Sequence, residues 1–235
     1  MRIHPALRLL ALSIALAVSA PTGTAHAQGI VVDEGSFRIS LAGREVGTES
    51  FSIRRAGIGR DDALFANGTI EIGSSVDREE IDPLLRATPP DGVVAGYQVR
   101  VRGRNALEFQ LTLIGNRYVS FARSPLGDEE REYPARTTTR ILERDVAHHY
   151  YFLRDARDGD QIHVIEPRSR TQTTLTVERR TDDQILLDGR PTEARRVEMS
   201  VDDQTRTVWY DRLGRVLRVE IPALGYVAVR TDLVG

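Results

Sequence analysis

Apolar and polar residues alternate along most of this chain, the period of a strand with one dry face and one wet face. Phe37, Ile39 and Leu41 alternate with Arg38 and Ser40. Ala42-Gly43-Arg44-Glu45 supplies a turn, and alternation resumes from Val46 to Ile53. The pair reads as an antiparallel hairpin. Further strands are predicted over 63–72, 93–101, 106–114 and 117–121, with Gly103-Arg104-Asn105 and Gly115-Asn116 at turn positions. Between them the pattern fails over 77–91, a charged stretch interrupted by Pro83, Pro89 and Pro90. It is expected to be a loop, with one helical turn at Asp82-Pro83-Leu84-Leu85. Residues 124–143, with Pro125, Pro134 and a run of threonines, are expected to form a long exposed loop. Beyond residue 160, alternation predicts strands over 161–166, 171–179, 185–187, 192–201, 205–210, 215–221 and 226–232. Asp188-Gly189, Asp202-Asp203 and Leu213-Gly214 mark tight turns between them.

One segment carries a different period. In Asp145–Ala156, the residues Val146, His149, Tyr150 and Leu153 stand at i, i+3, i+4 and i+7, one face of a helix, with Asp145 placed to cap it. Such a face needs a sheet to pack against. The reading is therefore a mainly β chain: a strongly curved antiparallel sheet or open barrel of about twelve strands, with one helix (about 145–156) packed on its concave side.

The first residues belong to another category. Arg2 and Arg8, an apolar run from Leu9 to Val18 and Ala25-His26-Ala27 make residues 1–27 a secretory signal peptide, leaving 28–235 as a single β domain. The expected location is periplasmic or secreted, soluble after cleavage near Ala27. The apolar run is about half of what spans a bilayer, and no other stretch is long enough to be a transmembrane segment. The sequence has no cysteine, which excludes disulfides, thiol catalysis and a lipidated cysteine. Loss of Arg2 and Arg8 with the leader moves the formal charge from −2 to −4, which disfavours nucleic acid as a partner. Every one of the basic residues is arginine, so a Schiff-base or P-loop lysine is excluded.

Several details form a resemblance. Gly43-x-x-x-Gly47-x-x-x-Phe51 opens the chain's β region, and Asp145 precedes Tyr150-Tyr151-x-Leu153-Arg154. Gly159-Asp160 follows, and the chain closes with Val208-Trp209-Tyr210-Asp211-x-x-Gly214-Arg215 and Gly225-Tyr226-Val227-Ala228-Val229-Arg230. Together they resemble the exported bacterial DUF3108-like proteins of unknown function. The fold of that group is similar to the LolA-like open β-barrel of lipoprotein carriers. The resemblance implies a fold and brings no reaction with it.

Candidate chemistry is sparse. His148 and His149 are adjacent, so on a helix they point about 100° apart and do not readily share an ion. His149 and His163 with a carboxylate such as Asp160 is the metal set to consider, and no ligand spacing supports it; no cofactor is expected. Gly73-Ser74-Ser75 lacks the G-x-S-x-G pattern, and the paired carboxylates Asp61-Asp62, Glu79-Glu80, Glu129-Glu130 and Asp182-Asp183 fall in predicted turns. What remains is an apolar interior. Tyr150, Phe152, Leu153 and Trp209 are the candidate ligand-binding residues, either lining a hollow or filling a core. The leading expectation is a non-enzymatic protein that binds an apolar or lipid-like ligand or chaperones an envelope component. The alternatives are an interaction scaffold for another envelope protein and a hydrolase with an unrecognised site.

Overall fold

The computed structural model describes residues 29–74, 76–90, 92–202 and 204–233; the predicted leader lies outside the described residues. β1 (Ile30–Leu41) and β2 (Arg44–Ala56) form the expected hairpin, followed by β3 (Ala63–Ile72) and β4 (Glu79–Thr88). β5 (Val93–Arg102), β6 (Leu107–Ile114), β7 (Arg117–Ser124) and β8 (Gly127–Pro134) continue the meander. A two-residue β9 (Arg140–Ile141) precedes a 3-10 turn at Ala147–Leu153. Then come β10 (Gln161–Glu166), β11 (Thr171–Leu187), β12 (Arg190–Val201), β13 (Gln204–Tyr210), β14 (Val216–Ile221) and β15 (Tyr226–Arg230).

The fifteen strands of the described residues belong to one sheet, ordered β8-β7-β6-β5-β4-β3-β2-β1-β15-β14-β13-β12-β11-β10-β9. Among them only β9 and β10 pair in parallel. The first and last strands are thus neighbours in mid-sheet, Phe37 opposite Arg230, while the two edges, β8 and β9, are consecutive in the chain. The sheet curls until its ends approach. Side chains bridge β8 to the β10–β11 corner, with no backbone ladder between β8 and β9 among the described residues: Gln172 Nε2 donates to the Pro134 carbonyl at 3.0 Å, and Arg131 Nη1 to the Arg170 carbonyl at 2.9 Å. The barrel is open in its hydrogen bonding.

Three sequence expectations need correction. The strand number is fifteen, not about twelve, because both predicted loops contain strands. In β4, Ile81, Pro83, Leu85 and Ala87 point inward in strict alternation. Pro83 has no N–H, and the ladder to β3 is broken between the Asn67–Leu84 and Ile70–Ile81 pairs, while pairing with β5 continues through Pro83–Val99. The helical turn expected there is absent. β8 hides its period because only Tyr133 is buried and the rest is largely charged, the composition of an edge strand that avoids further pairing.

The helix is the third correction. It is a seven-residue 3-10 turn, buried on every side, with Val146 and not Asp145 at its N-cap and no side-chain cap from that residue. The seam of apolar positions was one side of an element that has no wet side. It sits inside the curl among inward residues of both halves of the sheet, including Phe51, Tyr97, Val177 and Tyr226.

A second, smaller apolar layer lies outside. The far half of the β11–β12 hairpin folds back over the outer face, where Ile185, Leu187 and Ala194 pack with Trp209 of β13, Leu217 of β14 and Val229 of β15. At its tip Asp188 accepts from Arg38 of β1 at 3.3 Å, so this strap spans the central strands β13, β14, β15 and β1.

Candidate functional site

Glu49 alternates with Phe51 and Ile53, so the strand period turns its carboxylate into the curl. There it caps the 3-10 turn, accepting from the Ala147 N–H at 2.7 Å and the His148 N–H at 2.9 Å. Its Oε1 also lies 2.6 Å from His148 Nδ1, and both side chains are fully buried. The His148 ring stacks on Phe51 at 5.4 Å and touches Gly68, where a Cβ would sit 3.0 Å from the imidazole Cε1. Gly68 is the close approach that admits the ring.

His149 has two buried ring nitrogens with no hydrogen-bond partner, and burial holds its pKa well below the ordinary 6.5, with the neighbouring His148 pushing the same way. It is a neutral packing group against the edge of Tyr97. His163 lies apart on β10, half-buried, with Nδ1 2.9 Å from Thr138 Oγ1. Among the described residues no group of three or more His, Asp or Glu is arranged to hold a metal ion.

Tyr150, Phe152 and Leu153 are core residues. Arg206 donates to the Tyr150 hydroxyl at 3.3 Å and to Glu166 at 2.5 Å, while the Tyr210 hydroxyl donates to the Tyr150 carbonyl at 2.8 Å. Burial raises the Tyr150 pKa, partly offset by Arg206. Phe152 covers Gly92, and Leu153 is fully enclosed. Trp209 is not with them. It lies under the outer strap, its indole N–H donating to Asp183 at 2.7 Å and its ring flanked by Arg196 and Arg218. The four residues therefore do not converge on one cavity.

A cavity of about 820 Å³ lies elsewhere, at the mouth of the barrel where five connections meet. Its lining includes the apolar residues Leu41, Ile72, Leu107, Pro125, Leu126 and Leu224. It also includes Arg104, Arg144, Arg168 and Arg170 with the acids Glu79 and Asp145, and Ile72 lies directly opposite Glu79 in the β3–β4 ladder. Gly225, at φ +59, lets the β14–β15 turn fold tightly enough for its carbonyl to accept from the Ala42 N–H at 2.8 Å, which carries Leu224 to the rim. Leu126, at the β7–β8 tip, is 97% exposed.

Beneath the mouth the polar groups are tied down. Arg168 donates to Glu143 at 2.9 Å and pairs with Asp145. Glu143 is almost fully buried, so desolvation raises its pKa against the pull of Arg168, and the Tyr97 hydroxyl lies 3.5 Å behind it. Arg170 pairs with Glu129, and Arg104 with Asp77 at 2.6 Å. The side chains of Arg144 and Glu79 make no ion pair or hydrogen bond among the described residues. Sequence reasoning missed this cavity because its walls come from turns scattered between residues 41 and 226, which no spacing links. Glu49 did leave a signal, a carboxylate on the dry side of an alternating strand.

Comparison with known proteins adds the fold. No family model matches the chain, and no curated protein does. A solved structure is similar, a beta-barrel-like protein of the domain of unknown function DUF1849 from Brucella abortus, with 10% identity and a TM-score of 0.50. The match covers 87% of this chain and 97% of that one. At that identity the likeness establishes a barrel-like fold alone. It places the chain beside β-barrel-like proteins of unknown function and does not single out the DUF3108 group that the sequence resembles.

Proposed function

We propose that this chain is an exported, non-enzymatic binding protein whose mouth cavity takes a lipid-like ligand. The observation that carries the reading is the cavity itself. Its volume lies within the roughly 300–1,000 Å³ typical of small-molecule sites, and its lining combines apolar residues with arginines at the end of a curled sheet. The signal-peptide pattern at residues 1–27 supports export. The non-enzymatic reading draws on how the acid and base groups are used. Glu49 and His148 are fully buried and hydrogen-bonded to each other and to the 3-10 turn, away from the mouth. Glu143 stands behind Arg168. Of the acids in the cavity lining, Asp145 is paired with Arg168, which leaves Glu79 as the one unpaired carboxylate there among the described residues, whereas acid–base chemistry would need two converging groups.

The ligand site moves from the helix-side hollow anticipated around Tyr150 to the mouth. Native mass spectrometry of protein purified from the periplasm without detergent, followed by solvent extraction, tests the reading. A reproducible extra mass that extracts as lipid and is lost in Leu224→Asp is the expected result. A clean unliganded mass, together with no thermal shift on adding a total lipid extract, would overturn it.

A further inference from the structure

Charge in the cavity lining narrows the ligand. Of the four arginines at the mouth, Arg168 is committed: its guanidinium is mostly buried and held between Glu143 and Asp145. The Arg104–Asp77 pair is solvent-exposed and the Arg170–Glu129 pair partly so, and ion pairs open to solvent exchange partners at little cost. Arg144 has no partner among the described residues and faces the same cavity. The lining thus offers one free guanidinium and two exchangeable ones, against one free carboxylate, Glu79. A planar guanidinium fork matches a carboxylate or phosphate in two-point geometry.

Resting on the mouth as the ligand site, we infer that the ligand is an anionic single-chain amphiphile. Its carboxylate or phosphate head pairs with Arg144, and its tail lies along Leu41, Ile72, Leu107 and Leu224. Glu79 is the like-charged group the head must avoid, so it sets the head toward Arg144. The apolar lining residues alone would accept a neutral chain; the arginines favour the charged one.

Four probes with the same tail separate these contributions by titration calorimetry of the leaderless protein below micelle formation: dodecanoate, dodecyl phosphate, monododecanoylglycerol and dodecylphosphocholine. The two anions are expected to bind about tenfold or more tightly than the neutral glyceride and the zwitterion, with affinity falling as salt rises. The tighter of the two anions distinguishes a carboxylate ligand from a phosphate one. Arg144→Gln, at an exposed position, is expected to remove about tenfold from anion binding and leave the glyceride unchanged. Glu79→Gln is expected to tighten anion binding. Equal affinity for all four probes, or an Arg144→Gln variant that binds the anions as tightly as before, would overturn this inference while the mouth remained a ligand site. Binding of none of them would overturn both.

Discussion

His149 shows at the scale of one residue how burial becomes a dependence on pH. Its folded-state pKa is depressed, so the unfolded chain binds the proton first as pH falls below about 6.5. Stability is fully present above that value and declines below it, by up to about 1.4 kcal/mol per pH unit, until the folded-state pKa is reached. Glu143 works in the opposite direction, because its folded pKa is raised and the native state gains protons first. Denaturant unfolding of wild type and His149→Phe from about pH 5 to 8 separates the two. The difference in stability between the proteins is expected to grow as pH falls, with the variant gaining relative to wild type. A constant difference would refute the neutral, buried assignment. Glu49 makes a sharper case. Glu49→Gln replaces an acceptor-only carboxylate with an amide that turns donors toward donors, and a loss of about 2–4 kcal/mol in urea unfolding is expected.

Among the elements, the outer strap and the 3-10 turn show where sequence periodicity was informative and where it was not. Alternation located most strands because a curled sheet with a dry inside needs it. It failed in β8, whose inward face is almost empty of apolar residues, and in β4, where proline, usually a breaker, occupies an inward position. The helical period at 145–156 was real as a pattern but described an element buried all round, so its predicted exposed side does not exist. Trp209 was assigned to the interior because aromatic strand residues are usually core. It is core, but to the outer layer, and nothing in its local sequence reveals that the β11–β12 hairpin folds back over it. Replacing residues 183–194 with a two-residue Asn-Gly turn, which joins the paired residues Asp182 and Arg195, should uncover Leu217 and Trp209. The expected results are a loss of about 3 kcal/mol and a red shift in the emission of this single tryptophan. Unchanged emission would show that the strap does not cover the indole.

For the molecule as a whole, strand order governs what can be cut and joined. β1 and β15 pair at the centre, and the sheet's edges fall at a single connection, residues 135–139. A circular permutant opened within that connection, with residues 29 and 233 joined by a flexible linker of about five residues, keeps every backbone ladder. It is expected to fold with near-wild-type circular dichroism. Opening the chain instead at the β14–β15 turn, which braces the mouth through Ala42, is expected to weaken amphiphile binding.

The same order creates a hazard of timing. A chain emerging from its N-terminus completes β1 early, yet the neighbour on one side of β1 is the last strand to appear. Until then, the edge carrying Phe37, Ile39 and Leu41 stands open, without the charged protection that β8 gives the finished edge. The half-made sheet, and not the native protein, is therefore the species most in need of a holding chaperone.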